Sequence, residues 1–331
     1  MRAVTYSRVG PASEVLSLVD LPDPTPGPGD VRVRLAWSGV NPSDVKTRGG
    51  GRLKMAFPRV VPHSDGSGVI DLVGANVPPD RVGERVWTWN AQWGRADGTA
   101  AEYVVLPEAQ AVRLPDAVPL DAGACLGIPA LTAWHAVTMD GGVAGKRVLV
   151  AGGAGAVGHY AVQIAKAQGA RMVLATVSGQ EKAALATAAG ADLAVNYKEE
   201  DLAARVREAT GGQGVDRIIE VDFAANVGVD LDLVASEGDI VVYGSGAAQI
   251  PITFFPLIVK NIRLRFFIVY NLTAADRNAA VTGITRLMDA GTIAHNIAAR
   301  LPLESVVEAH ELVEQGRVAG NVVLRIAEGM A

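Results

Sequence analysis

A single cysteine, Cys125, stands in a chain of 331 residues. No intramolecular disulfide can form, and a zinc site built from several thiolates is excluded. The five histidines, His63, His135, His159, His295 and His310, are scattered without the short spacings that gather metal ligands. Positive charge is not in excess: 30 Lys and Arg stand against 35 Asp and Glu, a formal net charge of −5 with no basic block. That balance argues against nucleic acid as the main partner. No run of about 18 apolar residues suggests a membrane span, and the opening residues MRAVTYSRVG lack the apolar core of a signal peptide. A soluble cytoplasmic protein is expected. Internal repeats and low-complexity tracts are also missing.

What remains is a globular composition, 49% hydrophobic and 20% charged, long enough for two domains. The first 120 residues read as mostly β. Val31-Arg-Val-Arg-Leu35 alternates apolar and polar, as a half-buried strand does, after a stiff connector carrying Pro22, Pro24, Pro26 and Pro28. Arg85-Val-Trp-Thr-Trp89 and Tyr103-Val-Val-Leu106 are short strands between Gly- and Pro-rich turns. From about residue 122 strands and helices alternate. Strands are expected near 147–151, 171–176, 193–195, 216–221, 239–243 and 265–270, giving a doubly wound parallel sheet with helices on both faces. A helix over 303–314 and a strand over 321–326 follow, beyond the sixth strand and placed to return to the first domain.

The stretch Val148-Leu-Val-Ala-Gly-Gly-Ala-Gly-Ala-Val-Gly158 carries the chemistry. An apolar run stops at clustered glycines, and a helical pattern begins with Val157, Ala161, Ile164 and Ala165 on one face. Strand, tight turn and helix in that order make a dinucleotide-binding turn. Gly152 turns the chain off the strand, Gly155 clears space for a pyrophosphate, and Gly158 lets helix and strand pack closely. Free N–H groups at the helix start then face the phosphates.

At the end of the second strand an NAD enzyme carries an acidic residue for the ribose 2′-OH. Here Leu174-Ala-Thr-Val-Ser-Gly-Gln-Glu-Lys182 has none in place: Thr176 to Ser178 occupy the position, and Glu181 is turned away by helical spacing. Ser178 and Lys182 suit a 2′-phosphate, so NADP(H) is favoured over NAD(H). The plainer alternative has Ser178 capping the next helix and Lys182 solvated.

The chain resembles the zinc-independent quinone oxidoreductases, the zeta-crystallin-like group of the medium-chain dehydrogenase/reductase superfamily. The motifs are Gly39-Val-Asn-Pro-Ser-Asp-Val-Lys-Thr-Arg-Gly49, Gly98-Thr-Ala-Ala-Glu-Tyr-Val-Val-Leu-Pro107, Cys125-Leu-Gly-Ile-Pro-Ala-Leu-Thr-Ala133, the glycine turn, and Gly320-Asn-Val-Val-Leu324. They span almost the whole chain in the family's order. The resemblance implies an α/β protein with a GroES-like β-rich catalytic domain, residues 1–122 with 297–331, and a Rossmann NADP-binding domain, residues 123–296, with the active site in the cleft between them. It also implies a homodimer joined by the sixth strand, Arg265-Phe-Phe-Ile-Val-Tyr270, which read alone is an apolar edge needing cover. Carried over position by position, Ala154, Gly155, Ala156 and Val157 match the pyrophosphate turn. Ser178, Lys182 and Tyr197 match the surroundings of the 2′-phosphate. Asn226 matches a cofactor contact of the family; Gly244, Ser245 and Gly246, and Phe266, Phe267 and Ile268, match the backbone stretches that flank nicotinamide, with Thr132 and Asn41 as further contacts on its other side and Asn321 as another cofactor-binding position. Plainer readings stand beside these: Tyr197 a surface aromatic, Asn226 a helix cap, Phe267 core.

Zinc enzymes of the superfamily carry a catalytic Cys where this chain has Asn41, and their second ligand aligns with Ser64, His63 being one residue early. No metal is expected, and His63 reads as structural or pocket-lining. Without a metal to polarise an alcohol, the favoured chemistry is hydride transfer from NADPH to a quinone. Asn41 is the first candidate to donate to the developing oxyanion and Lys46 the second. Many family members have tyrosine at position 46; Lys46 either donates to the acceptor or pairs with Asp44 or Asp65 and reaches solvent. Tyr270 and Asp222 are weaker candidates, and Cys125 reads as buried packing. The loop 49–62, with Leu53, Met55 and Phe57, is expected to wall the pocket. Reduction of an enone or enal is the enzymatic alternative, and an NADPH-binding sensor or structural protein is the alternative of another class.

Overall fold

The computed structural model describes residues 1–51 and 55–327. They form two compact units, Met1–Pro129 with the residues from Thr285 onward, and Ala130–Ile284.

The first unit is built on a seven-stranded sheet whose organiser is the eleven-residue strand Asp30–Val40. Its alternation works as the sequence suggests. Val31, Val33 and Leu35 are fully buried, each contributing about 1.5–3 kcal/mol. Arg32 on the other face pairs with Asp71 at 2.9 Å and lies 4.7 Å from the Tyr103 ring centroid. One edge of this strand pairs along its length with Asp65–Val73. The other is shared: Tyr103–Pro107 takes its first half and Asn321–Arg325 its last four residues. The chain's last strand therefore does return to the first unit, flanked on its far side by Ile297–Pro302. The helix expected over 303–314 starts later, at Val306, after a single 3-10 turn Leu303–Ser305.

The second unit is a six-stranded parallel sheet. Its strands are β1 (Arg147–Val150), β2 (Met172–Val177), β3 (Leu193–Asn196), β4 (Val215–Glu220), β5 (Val234–Val242) and β6 (Arg263–Phe266). The spatial order is 3-2-1-4-5-6, so the winding reverses between β1 and β4. Ligands of such sheets bind outside the strand C-termini at that reversal. Helices α1 (Leu131–Thr138), α2 (Ala156–Ala167), α3 (Gln180–Ala188), α4 (Leu202–Ala209), α5 (Phe223–Leu233) and α6 (Phe254–Val259) connect or cover the strands. Two expectations need correction. The sixth strand ends at Phe266 rather than 270, because its partner β5 ends at Val242; Val269–Asn271 then form a 3-10 turn. In α2 the buried stripe starts at Gly158, and Val157, in the first turn, is only half-buried.

A charged residue sits in this unit's core. Arg217 on β4 is fully buried; it donates to the Val137 and Met139 carbonyls that end α1, at 3.0 Å each, and to Asp239 at 3.0 Å. The guanidinium thereby satisfies carbonyls that the helix end leaves without partners. Among the described residues no helix is long and apolar enough to cross a membrane.

Candidate functional site

The glycine turn lies at the winding reversal. Gly152 has φ +68°, which an L side chain rarely adopts. Its N–H donates to Thr176 Oγ1 at 3.0 Å, and the Gly153 N–H to the Thr176 carbonyl at 3.0 Å. Thr176, considered from sequence as a cofactor-selecting position, is thus the post to which the turn is tied. A Cβ at Gly158 would lie 2.1 Å from the Gly152 carbonyl oxygen, and one at Gly153 would lie 2.5 Å from Ala175 Cβ. Close packing therefore fixes Gly158, as expected, and also Gly153, which the sequence reading passed over. Gly155 caps α2 without a side chain, so no side-chain acceptor covers the N–H groups of Ala156 and Val157. Ala154, in the same turn, is buried.

At the ends of β2 and β3 the chain brings Ser178, Lys182 and Tyr197 close together. Lys182 Nζ donates to Ser178 Oγ at 3.0 Å. The α3 cap is Gly179, so the reading of Ser178 as helix cap falls away. Glu181 is exposed, and Tyr197 is 52% exposed with its N–H on the Val177 carbonyl at 3.1 Å.

At the end of β4 a third group forms. Asn226 in α5 is not the cap, which is Asp222. Its Nδ2 donates to Glu220 Oε1 at 3.0 Å, the same oxygen that accepts the Asp222 N–H at 2.5 Å. Asp222 Oδ1 in turn accepts the Gly246 N–H at 2.6 Å. Gly244 passes so close to Val221 that a Cβ would lie 2.2 Å from its carbonyl oxygen. Ser245 Oγ donates to the Ala247 carbonyl. Phe266 and Ile268 are exposed; Phe266 meets Phe223 edge-on, and Phe267, half-buried, meets His135 at 4.8 Å between centroids. Thr132 is buried on α1. Glu220, which organises this group, was read from sequence only as a strand end.

In the first unit Asn41 caps the helix Pro42–Arg48. Its backbone N–H donates to Asp44 at 2.8 Å and its Nδ2 to Asp65 Oδ2 at 2.8 Å; that oxygen also accepts the Ile128 N–H at 3.0 Å. Burial pushes the Asp44 carboxyl up to about 7, against the downward pull of its hydrogen bonds with Asn41. Lys46 is exposed on the same helix. Met55 and Phe57 pack on this unit's core, while Leu53 lies outside the described residues. Asn321, from the last strand, is buried and donates to the Asn296 carbonyl at 3.0 Å. Tyr270 sits in the short turn after β6. Cys125 is buried, and burial, with Asp65 and Asp121, holds its thiol well above the ordinary range, which suits packing rather than nucleophilic work.

His63 is fully buried, with φ +78°. It links to His310 of the helix Val306–Glu314, Nε2 to Nε2 at 2.9 Å, and to Ser38 Oγ at 2.9 Å; Ser38 reaches Thr99 Oγ1 at 2.8 Å, which donates to the Asp65 carbonyl at 2.6 Å. A carbonyl only accepts, so the proton order is determined. Thr99 donates to Asp65, Ser38 to Thr99, His63 Nδ1 to Ser38, and His310 Nε2 to His63. Both imidazoles are neutral. Burial, then the charge of His310, holds His63 well below its usual range, and burial, then Arg48, lowers His310 to about 3. The two residues stand 247 apart in sequence.

These donors do not suit a catalytic zinc. Position 41 offers an amide already turned to Asp65, position 64 a hydroxyl, and both nitrogens of His63 are engaged. Among the described residues no three His, Cys, Asp or Glu are placed to hold a metal.

Comparison with known proteins places the chain in a family. Residues 27–116 match the family described as alcohol dehydrogenase GroES-like domain, and residues 156–286 the family described as zinc-binding dehydrogenase. A quinone oxidoreductase of Pongo abelii is 32% identical over 98% of this chain and 97% of its own length. A 2-haloacrylate reductase of a Burkholderia species is 30% identical over 98% of both. Among solved structures, a mycobacterial protein complexed with NADPH superposes with a TM-score of 0.87 at 28% identity, covering 98% of this chain and 99% of its own. With both halves matched and full-length relatives at this identity, the chain belongs to the quinone oxidoreductase family of the medium-chain dehydrogenase/reductase superfamily and is an oxidoreductase.

Proposed function

We propose that the protein is an NADPH-dependent quinone reductase that works without metal or flavin. The observation that carries the reading is the donor at position 41, an asparagine amide oriented by Asp65 where zinc enzymes of the superfamily place a thiolate. When bound, NADPH supplies the hydride. The chain supplies the rest. The α2 N-terminus and the tied glycine turn hold the pyrophosphate. Ser178 and Lys182, already joined at 3.0 Å, hold the 2′-phosphate. Asn226 and the segment 244–246 line the nicotinamide side. One Asn41 amide hydrogen is spent on Asp65; the other is directed to the acceptor oxygen, where a preorganised donor stabilises the charge that develops there. Lys46, exposed on the same helix, delivers the proton from the solvent side.

Reduction of an activated alkene is a second reading, favoured by the similarity to a 2-haloacrylate reductase. The protein also forms a homodimer in the cytoplasm under this proposal. Support comes from β6, the outer strand of its sheet, and from the exposed Phe254, Phe255, Ile258, Val259, Phe266 and Ile268 on β6, on α6 and just after β6.

The test is oxidation of NADPH and NADH with benzoquinone, a bulky ortho-quinone, an enal and a cyclic enone. Fast NADPH oxidation with the quinones alone is the expected result. Activity confined to the enal or enone moves the assignment to alkene reduction. Tight NADPH binding with none of the four reduced moves it to a cofactor-binding sensor.

A further inference from the structure

Two carboxylic acids meet in the interior at the winding reversal. Glu220 ends β4 with no exposure, and Asp230, 2% exposed, faces it from α5 within hydrogen-bonding reach. Each has one buried oxygen, Glu220 Oε2 and Asp230 Oδ2, to which no third group among the described residues donates. Two carboxylates cannot meet in a low-dielectric interior unless one carries a proton. The hydrogen bonds show which. Glu220 Oε1 accepts the Asp222 N–H and Asn226 Nδ2, so the charge rests on Glu220. Asp230 has Glu220 as its partner, so it holds the proton and donates it.

We infer that Glu220 and Asp230 share one proton and act as positioning residues for the cofactor edge, holding Asn226 and the Asp222 turn in place for as long as that proton stays. Neither touches a ligand. They act through Asn226, Asp222 and, by way of Asp222, Gly246. This rests on the reading of the second unit as a dinucleotide site. Removing the proton sets a second charge against Glu220 and drives it off the two donors it holds.

The surroundings make this proton labile near neutrality. Burial, then the charge of Glu220 and the hydrogen bond to it, push Asp230 up to about 8. Glu220 is also raised, by burial, against the pull of Asn226 and the Asp222 and Val221 amides; the Asp222 carboxylate adds to the rise. The neighbouring elements carry these further titratable or charged groups. Tyr243, after β5, is kept neutral by desolvation and by Glu220. On α4, which packs on α5, Arg205 pairs with Glu200 and Glu208 at the surface and Arg207 is exposed. Lys260, after α6, is turned to the carbonyls of Leu231, Asp232 and Val234 at the far end of α5.

The experiment is NADPH affinity by fluorescence from about pH 7 to about pH 9, for the wild type and Asp230→Asn. Asparagine keeps a permanent N–H toward Glu220. The wild type should weaken about tenfold, as one unit of coupling requires, while Asp230→Asn stays level and Asp230→Ala binds weakly throughout. The 2′-phosphate is already ionised in this window. Infrared difference spectra over the same range, unliganded wild type minus Asp230→Asn, should lose one protonated carboxyl band; the subtraction removes Asp44, which is raised to about 7, and the readout does not need the cofactor. Absence of that band, or an Asp230→Asn profile matching the wild type, overturns the inference. If the band titrates as expected but NADPH binds at no pH, the shared proton stands and the dinucleotide reading falls.

Discussion

Replacing His310 with glutamine should flatten the acid side of the stability profile by a calculable amount. His310 is fully buried and its imidazole titrates near 3 in the folded chain, against about 6.5 unfolded. The folded value is the depressed one. The unfolded chain therefore takes up a proton first as pH falls, and stability present above about 6.5 is lost below it. At about pH 5 the loss is RT ln(1 + 10^1.5), about 2 kcal/mol, and at about pH 7.5 it is negligible. Glutamine keeps an N–H for His63 Nε2 but does not titrate. Other groups contribute with either sign. His63 adds a loss in the same direction, whereas Asp44, raised to about 7, favours the folded state toward acid. The quantity to measure is thus a difference: wild type minus His310→Gln, by urea unfolding at about pH 7.5, 6 and 5. Tryptophan fluorescence suits it, because Trp37, Trp87, Trp89 and Trp93 lie in the unit that holds His310 and only Trp134 does not. The difference should shift by about 2 kcal/mol toward the variant as pH falls to 5. A difference that stays constant with pH would refute the neutral, buried imidazole pair.

Four further outcomes are expected. Asn41→Ala should lower turnover by about 10²–10³ while NADPH titration stays near wild type; unchanged turnover removes its oxyanion role. Lys182→Ala should weaken NADPH by about 10–100-fold, the loss of one charge-assisted contact, and leave NADH unchanged in side-by-side titrations; equal losses undo the 2′-phosphate assignment. Arg217→Met should cost about 3–5 kcal/mol in chemical denaturation, because Asp239 and the α1 carbonyls lose a fully buried partner. Combined Phe255→Asp and Ile258→Asp should turn a dimer into a monomer by light scattering; a monomeric wild type contradicts the proposed interface.

Much of the second unit was legible because its signals are local. Strand positions followed from apolar runs, and the glycine turn from residues within seven positions of one another. Ser178 and Lys182 sit one helical turn apart, so spacing alone could pair them. The misreadings arose where a partner, rather than the segment itself, decides. The apolar run after Arg265 looked like strand, but β5 had ended. Val157 looked like core, but it lies in the first turn of its helix. His63 and His310, or Glu220 and Asp230, carry no mark of their pairing in composition or periodicity. Their meaning depends on which buried oxygen or nitrogen lies opposite, and only tertiary packing decides that. The alternation of Glu220 and Asp222 around a strand end was the one available hint that a carboxylate points inward there.

The placement of residues 321–325 against the long strand Asp30–Val40 sets the order in which the molecule can be made. During synthesis the chain through Pro129 emerges first, yet one edge of its principal strand waits for a segment some 190 residues downstream. At roughly 5–20 residues per second that wait is about 10–40 s. The second unit, continuous from Ala130 to Ile284, is complete before it ends. The nascent first unit thus spends the interval with one edge of Trp37 to Val40 uncovered, the other being paired with the strand Asp65–Val73, and with His63 lacking His310; this exposed edge is what a chaperone at the ribosome would have to shield.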